Sequence, residues 1–129
     1  MEFFRIINVK SSEKLIQDTL NIQNLEIMSE QLVTLGVLNE IQASIGSIWG
    51  EFTLERSKIT GGLRFLLKEC PNALTWSITT GYEPVPNQIV VHLTINRTQK
   101  DKEFLLEIED FLDNQSKCLG NLNKLQESL

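Results

Sequence analysis

The chain has 129 residues, 41% of them hydrophobic and 22% charged, with a formal net charge of −5. That length and balance suit a single domain, residues 1–129, able to close a core without disulfides or a structural metal, and they exclude a disordered or fibrous chain. The acidic balance disfavours nucleic acid: a phosphate backbone is held by basic stripes, and here Arg56, Lys58, Arg64 and Lys68 are interleaved with Glu55 and Glu69.

Residues 1–9 lack the basic leader and long apolar run of a secretion signal. No apolar run approaches the roughly 18 residues of a membrane span, so a cytoplasmic protein without a membrane partner is expected. Residues 3–9, rich in Phe and Ile, are predicted as a first strand. Ser11 or Ser12 then caps a helix carrying Leu15, Ile16 and Leu20. Residues 29–45 are predicted as a second helix: Ser29 caps it, Leu32, Leu35, Leu38, Ile41 and Ile45 recur at spacings of three and four, and Gly46 closes it. Residues 25–28 read either as a break between the helices or as a short strand.

Residues 49–58 alternate as a strand. Residues 59–70 admit two descriptions. A hairpin turning at Gly61-Gly62 would set Lys58 against Phe65 and Ile59 against Arg64, mixing polar and apolar on both faces. A helix gathers Ile59, Leu63, Leu66, Leu67 and Cys70 on one side, with Thr60 as cap and Pro71-Asn72 as stop. The helix is favoured.

Residues 74–97 carry the clearest pattern, two strands joined by a loop containing Pro84 and Pro86. Leu74, Trp76 and Ile78 face one way and Thr75, Ser77 and Thr79 the other. In the second strand Ile89, Val91, Leu93 and Ile95 oppose Val90, His92, Thr94 and Asn96. After Thr98 a long helix is predicted, with a heptad seam of Phe104, Ile108, Phe111, Gln115, Cys118, Leu122, Leu125 and Leu129. A 26-residue seam is about 39 Å long, more than the ~25–30 Å face of a domain this size can cover. Residues 116–129 are therefore expected to protrude or dock, and to join two chains as a homodimer.

The predicted order is β-α-α-β-α-β-β-α. That implies an α+β, two-layer fold with a four-stranded, mainly antiparallel sheet of the ferredoxin-like β-α-β-β-α type, N-terminal helices and a long C-terminal helix.

No catalytic constellation emerges. His92 is the sole histidine, and no nucleophile is tied to it by spacing. Cys70 and Cys118 stand apart, so neither a metal site nor a disulfide framework is indicated, and no cofactor is expected. The acidic side of the last helix (Glu103, Glu107, Glu109, Asp110, Asp113) is a solvated face or one that meets a basic partner. The first functional expectation is thus a non-enzymatic interaction or regulatory domain. The alternative is a small-molecule-binding domain using the polar sheet face of His92, Thr94, Asn96, Thr75, Ser77 and Glu55. That face contains no aromatic residue in this arrangement, which argues against a base-stacking RNA platform. A concave pocket with His92 in its wall separates the alternative from a flat, wet sheet.

Overall fold

The computed structural model describes residues 1–96 and 101–122. Its centre is one seven-stranded antiparallel sheet in the order β1-β7-β6-β5-β4-β3-β2. The strands are β1 (Glu2–Lys10), β2 (Val33–Val37), β3 (Gln42–Ser47), β4 (Gly50–Ile59), β5 (Gly62–Leu67), β6 (Thr75–Thr79) and β7 (Gln88–Thr94). From β2 to β7 each strand pairs with the next, and β1 closes the far edge against β7. Among the described residues there are also two helices, α1 (Glu13–Thr19) and α2 (Lys102–Leu119), and a kinked 3₁₀ segment (Ile22–Ile27). α1 lies against β5 and β6, α2 against β1, and the 3₁₀ segment beside β2.

The four-stranded ferredoxin-like layout is therefore incorrect, and two predicted helices account for it. Residues 29–45 contain β2 and β3 instead. The helical spacing there is coincidental: Leu35, Leu38 and Ile41 are exposed, whereas Ala43 and Ile45 are buried with the period of two of a strand. Asn39 makes the turn between the strands, its side-chain oxygen accepting from the Ile41 N–H at 2.9 Å. Residues 59–70 hold β5. The hairpin turns at Thr60-Gly61 rather than Gly61-Gly62, so Ile59 faces Gly62, Ser57 faces Arg64 and Leu54 faces Leu67. The pairing thus moves by two positions and the faces are unchanged: Leu63, Phe65 and Leu67 are buried, and the polar groups on their side are Arg56, which is buried too, and Lys58, which is exposed. Gly61 has φ 89°, which suits glycine at this corner.

Two local expectations, the cap of the first helix and the faces of the central hairpin, hold. Ser12 caps α1, its hydroxyl accepting from the Leu15 N–H at 3.1 Å. The β6–β7 hairpin keeps its predicted faces, with Trp76, Ile78, Ile89, Val91 and Leu93 in the core. α2 is capped by Asp101, whose carboxylate accepts from the Glu103 N–H; the predicted cap Thr98 lies outside the described residues. The seam packs on its own sheet: Ile108, Phe111, Gln115 and Leu122 are buried, and the Phe111 ring meets Trp76 and Trp49 edge-on. Leu122 is thus covered within the chain, and Leu125 and Leu129 lie outside the described residues.

Gln115 is fully buried, and neither end of its amide has a hydrogen-bond partner among the described residues. An unpaired amide in an apolar interior costs on the order of 1–3 kcal/mol. Gln115→Met fills similar volume without the polar atoms and is expected to raise stability by about that amount. Urea unfolding tests it: the midpoint should rise, and a fall would show that the amide is paired.

Candidate functional site

The outer face of the sheet, opposite the helices, is organised as cross-strand rows. One runs Ser57, Arg64, Ser77, His92, Phe4 across β4, β5, β6, β7 and β1. The next runs Ile59, Gly62, Thr79, Val90, Ile6 over the same strands. Directly opposite residues lie within side-chain contact, so this register brings β1, from the start of the chain, beside His92.

Phe4 and His92 stack with ring centroids 4.4 Å apart and planes inclined by 11°. His92 Nε2 lies 3.1 Å from Glu2 Oε1, so the imidazole is held on its face and at its tip. Its side chain is 33% exposed. The face therefore does carry an aromatic ring, which the sequence pattern of the two central strands did not include. The carboxylates Glu2 and Glu83 border it, and these repel a phosphate backbone.

A pocket of about 570 Å³ opens on this face. Its floor is Ser77, Thr79, Val90 and His92. Phe4 and Ile6 form one wall, Ile59 an end, and Tyr82, Glu83 and Pro84 the opposite rim. The β6–β7 loop that supplies the rim is closed by its own bonds. The Thr80 hydroxyl donates to the Gln88 carbonyl at 2.9 Å, and the Gly81 N–H donates to the Pro86 carbonyl at 3.0 Å. Tyr82 leans on the β4–β5 corner, where its hydroxyl donates to the Thr60 carbonyl at 2.8 Å. A Cβ on Gly61 would stand 2.7 Å from that ring, so the rim depends on glycine there. The volume is within the range of small-molecule sites, and the lining, apolar with a few convergent polar groups, has their usual chemistry.

Compared with known proteins, the chain matches no family model and no curated protein.

Of the residues expected to form a site, His92 and Ser77 line this pocket. Thr75 and Thr94 are one row further along and line an adjoining shallow depression with Arg64, Ser77 and His92. Asn96 is elsewhere, its side-chain amide donating to the Pro71 carbonyl at 3.2 Å. Glu55 shares the outer face but lies on β4, three strands from His92, and accepts from Gln42 at 3.2 Å. It does not orient the imidazole; Glu2 occupies that position. Phe4, Ile6, Tyr82 and Pro84 were missed, since alternation within two strands cannot show which distant strand pairs beside them.

The remaining reactive groups do not extend the site. Cys70 is buried, and burial pushes the Cys118 thiol up, away from the reactive thiolate. On α2, Glu109 and Asp113 are taken by Arg5 of β1. No set of three metal-binding side chains is found among the described residues.

Proposed function

We propose that the chain is a small-molecule-binding domain whose ligand lies on the outer sheet face between β1 and the β6–β7 loop. What supports this most is the Phe4–His92 stack walling an apolar pocket with a hydroxyl-bearing floor. A flat, largely apolar molecule with one hydrogen-bonding end fits that chemistry. Its body lies against Phe4, Ile6, Tyr82 and Pro84, and its polar end meets Ser77, Thr79 and the imidazole, which can donate or accept. An anionic ligand is disfavoured, because Glu83 is on the rim and Glu2 beside His92.

No helix among the described residues is long and apolar enough to cross a membrane. Cys70 and Cys118 are both unpaired, which favours a reducing, cytoplasmic setting.

The test is a proton–nitrogen NMR titration with benzamide and larger neutral aromatic amides. Amide shifts should cluster on Ser77, Thr79, Tyr82, Val90 and His92. Val90→Trp, which fills the floor, should abolish them while leaving the melting temperature within a few degrees, as for other surface changes. No shift at millimolar probe, or shifts that persist in Val90→Trp, would remove the ligand site.

A further inference from the structure

The opposite edge of the sheet is built differently. β2 has a neighbour on one side only, so half its backbone groups face outward. Along it Val33, Leu35 and Val37 are exposed, Leu35 by 52%, as are Leu38 and Ile41 at the β2–β3 turn. Val33 lies opposite Gly46 and Leu35 leans over that glycine on the outer side, whereas Val37, opposite Ala43, is on the inner side. Residues 32–38 read LVTLGVL, with no charge and no proline. The other edge, β1, carries Arg5 and Lys10, the ordinary protection of a free edge. β2 does have a bulge between Thr34 and Gly36. That irregularity opposes a continuous backbone ladder with another strand, so the stripe offers side chains rather than a full row of hydrogen bonds.

Charge decides what covers it. Between Lys14 and Arg56 there is no Lys, Arg or His, while Asp18, Glu26, Glu30, Glu40, Glu51 and Glu55 all fall in that span. Four of these frame the stripe. Glu30 precedes β2, and Glu40 is in the turn after it. Glu51 and Glu55 stand on β4, opposite Gly46 and Gln42 of the intervening strand. Only Gly46 stands between Glu51 and Val33, so that carboxylate overlooks the apolar ridge from two strands away, about 10 Å. Glu55 stands nearer the β2–β3 turn, where it accepts from Gln42 at 3.2 Å. None of the four makes an ion pair among the described residues. A second copy on this surface would bring acid against acid at its rim, a costly match.

We infer that the β2 edge is a docking surface for a partner segment that alternates apolar side chains with Lys or Arg. The apolar groups would cover Val33 and Leu35 on the outer side of the edge, and the cations would reach Glu30, Glu40, Glu51 and Glu55. Apolar contact supplies the adhesion, and the acidic frame selects the partner by sign. The β2 edge is five strands from β7, which carries His92, and does not rest on the ligand reading.

The probe is a synthetic octapeptide alternating isoleucine and lysine, titrated into the isotopically labelled full chain, with an isoleucine–glutamate octapeptide as control. The lysine peptide should shift the amides of residues 33–41 and bind at least about tenfold tighter than the control. That preference should shrink as salt rises from about 0.05 to 0.5 M, through screening. Leu35→Lys should weaken binding by about tenfold or more, with an unchanged melt because the side chain is exposed. The double change Glu51→Gln, Glu55→Gln should lower the preference for lysine over glutamate and leave the apolar contact intact. Equal affinity for the two peptides, or binding indifferent to Leu35→Lys, would overturn the proposal. So would sedimentation showing a dimer of the chain that Leu35→Lys dissolves, since a second copy would then be the occupant.

Discussion

Trp76→Ala is expected to destabilise the domain by about 3–5 kcal/mol, the range for truncating a buried aromatic. Trp76 is on β6 with no exposed surface. Its ring stacks on Phe65 of β5 at 5.5 Å and meets Phe111 of α2 edge-on at 5.4 Å. Its indole N–H points at the Met28 sulfur, 3.4 Å away. One side chain thus joins the sheet, the C-terminal helix and the segment before β2. Domains of this size hold a margin of only ~5–15 kcal/mol, so the loss should lower the melting temperature by more than about 10 °C. Trp76→Phe separates volume from the indole contact: it keeps part of the stack and should cost less. A melt unchanged by Trp76→Ala would place the ring outside the core and invert the faces of the whole β6–β7 hairpin.

That hairpin was legible because nothing competes with its pattern. Trp76 and Ile78 alternate with Ser77 and Thr79, and two prolines punctuate the loop, so only one period fits. Residues 32–45 carry two periods at once. Leu32, Leu35, Leu38 and Ile41 match a helix, and Ala43 and Ile45 match a strand. What decides is tertiary: Ala43 and Ile45 pair beside Leu54 and Phe52 of β4, and no core surface receives Leu35 or Leu38. β5 was obscured because the β4–β5 pair does mix polar and apolar groups: Arg56 shares the inner side with Phe65 and Ile59 the outer side with Arg64, and the α1 carbonyls that receive Arg56 are not visible in a local pattern. The pocket was half legible for a related reason. Alternation put His92 and Ser77 on one face, but Phe4 arrives by the pairing of β1 with β7, a contact between chain ends that local pattern does not encode. The notion of an aromatic-free face failed with it. Likewise the acidic frame of the β2 edge becomes apparent only once residues 33–37 are a strand at the rim and not one side of a helix.

Arg56→Met is expected to cost about 2–4 kcal/mol, although it replaces a buried charge with an apolar chain. Arg56 is on β4, opposite Phe65, and is only 8% exposed. Its Nε donates to the Leu20 carbonyl at 2.8 Å and its Nη2 to the Gln17 carbonyl at 2.6 Å. These are carbonyls at the end of α1, where the helix has no partners of its own and its dipole favours a cation. Two effects oppose each other. Desolvation draws the guanidinium pKa down, so burying the charge carries a cost that methionine relieves. Against that, the substitution leaves two carbonyls without this donor, and hydrogen bonds to charged groups contribute about 1.5–3 kcal/mol each. The second effect is larger, because methionine offers those carbonyls nothing and α1, seven residues long, is too short to hold itself together. Arg56→Lys should fall between, keeping the charge but not the two-pronged reach. Urea unfolding would rank the three proteins. Hydrogen exchange should show the loss first at α1, with the Ile16 and Leu20 amides exchanging earlier than those of β6 and β7. Equal midpoints for Arg56→Met and the parent would mean that desolvation cancels both bonds, and that packing alone holds α1 on the sheet.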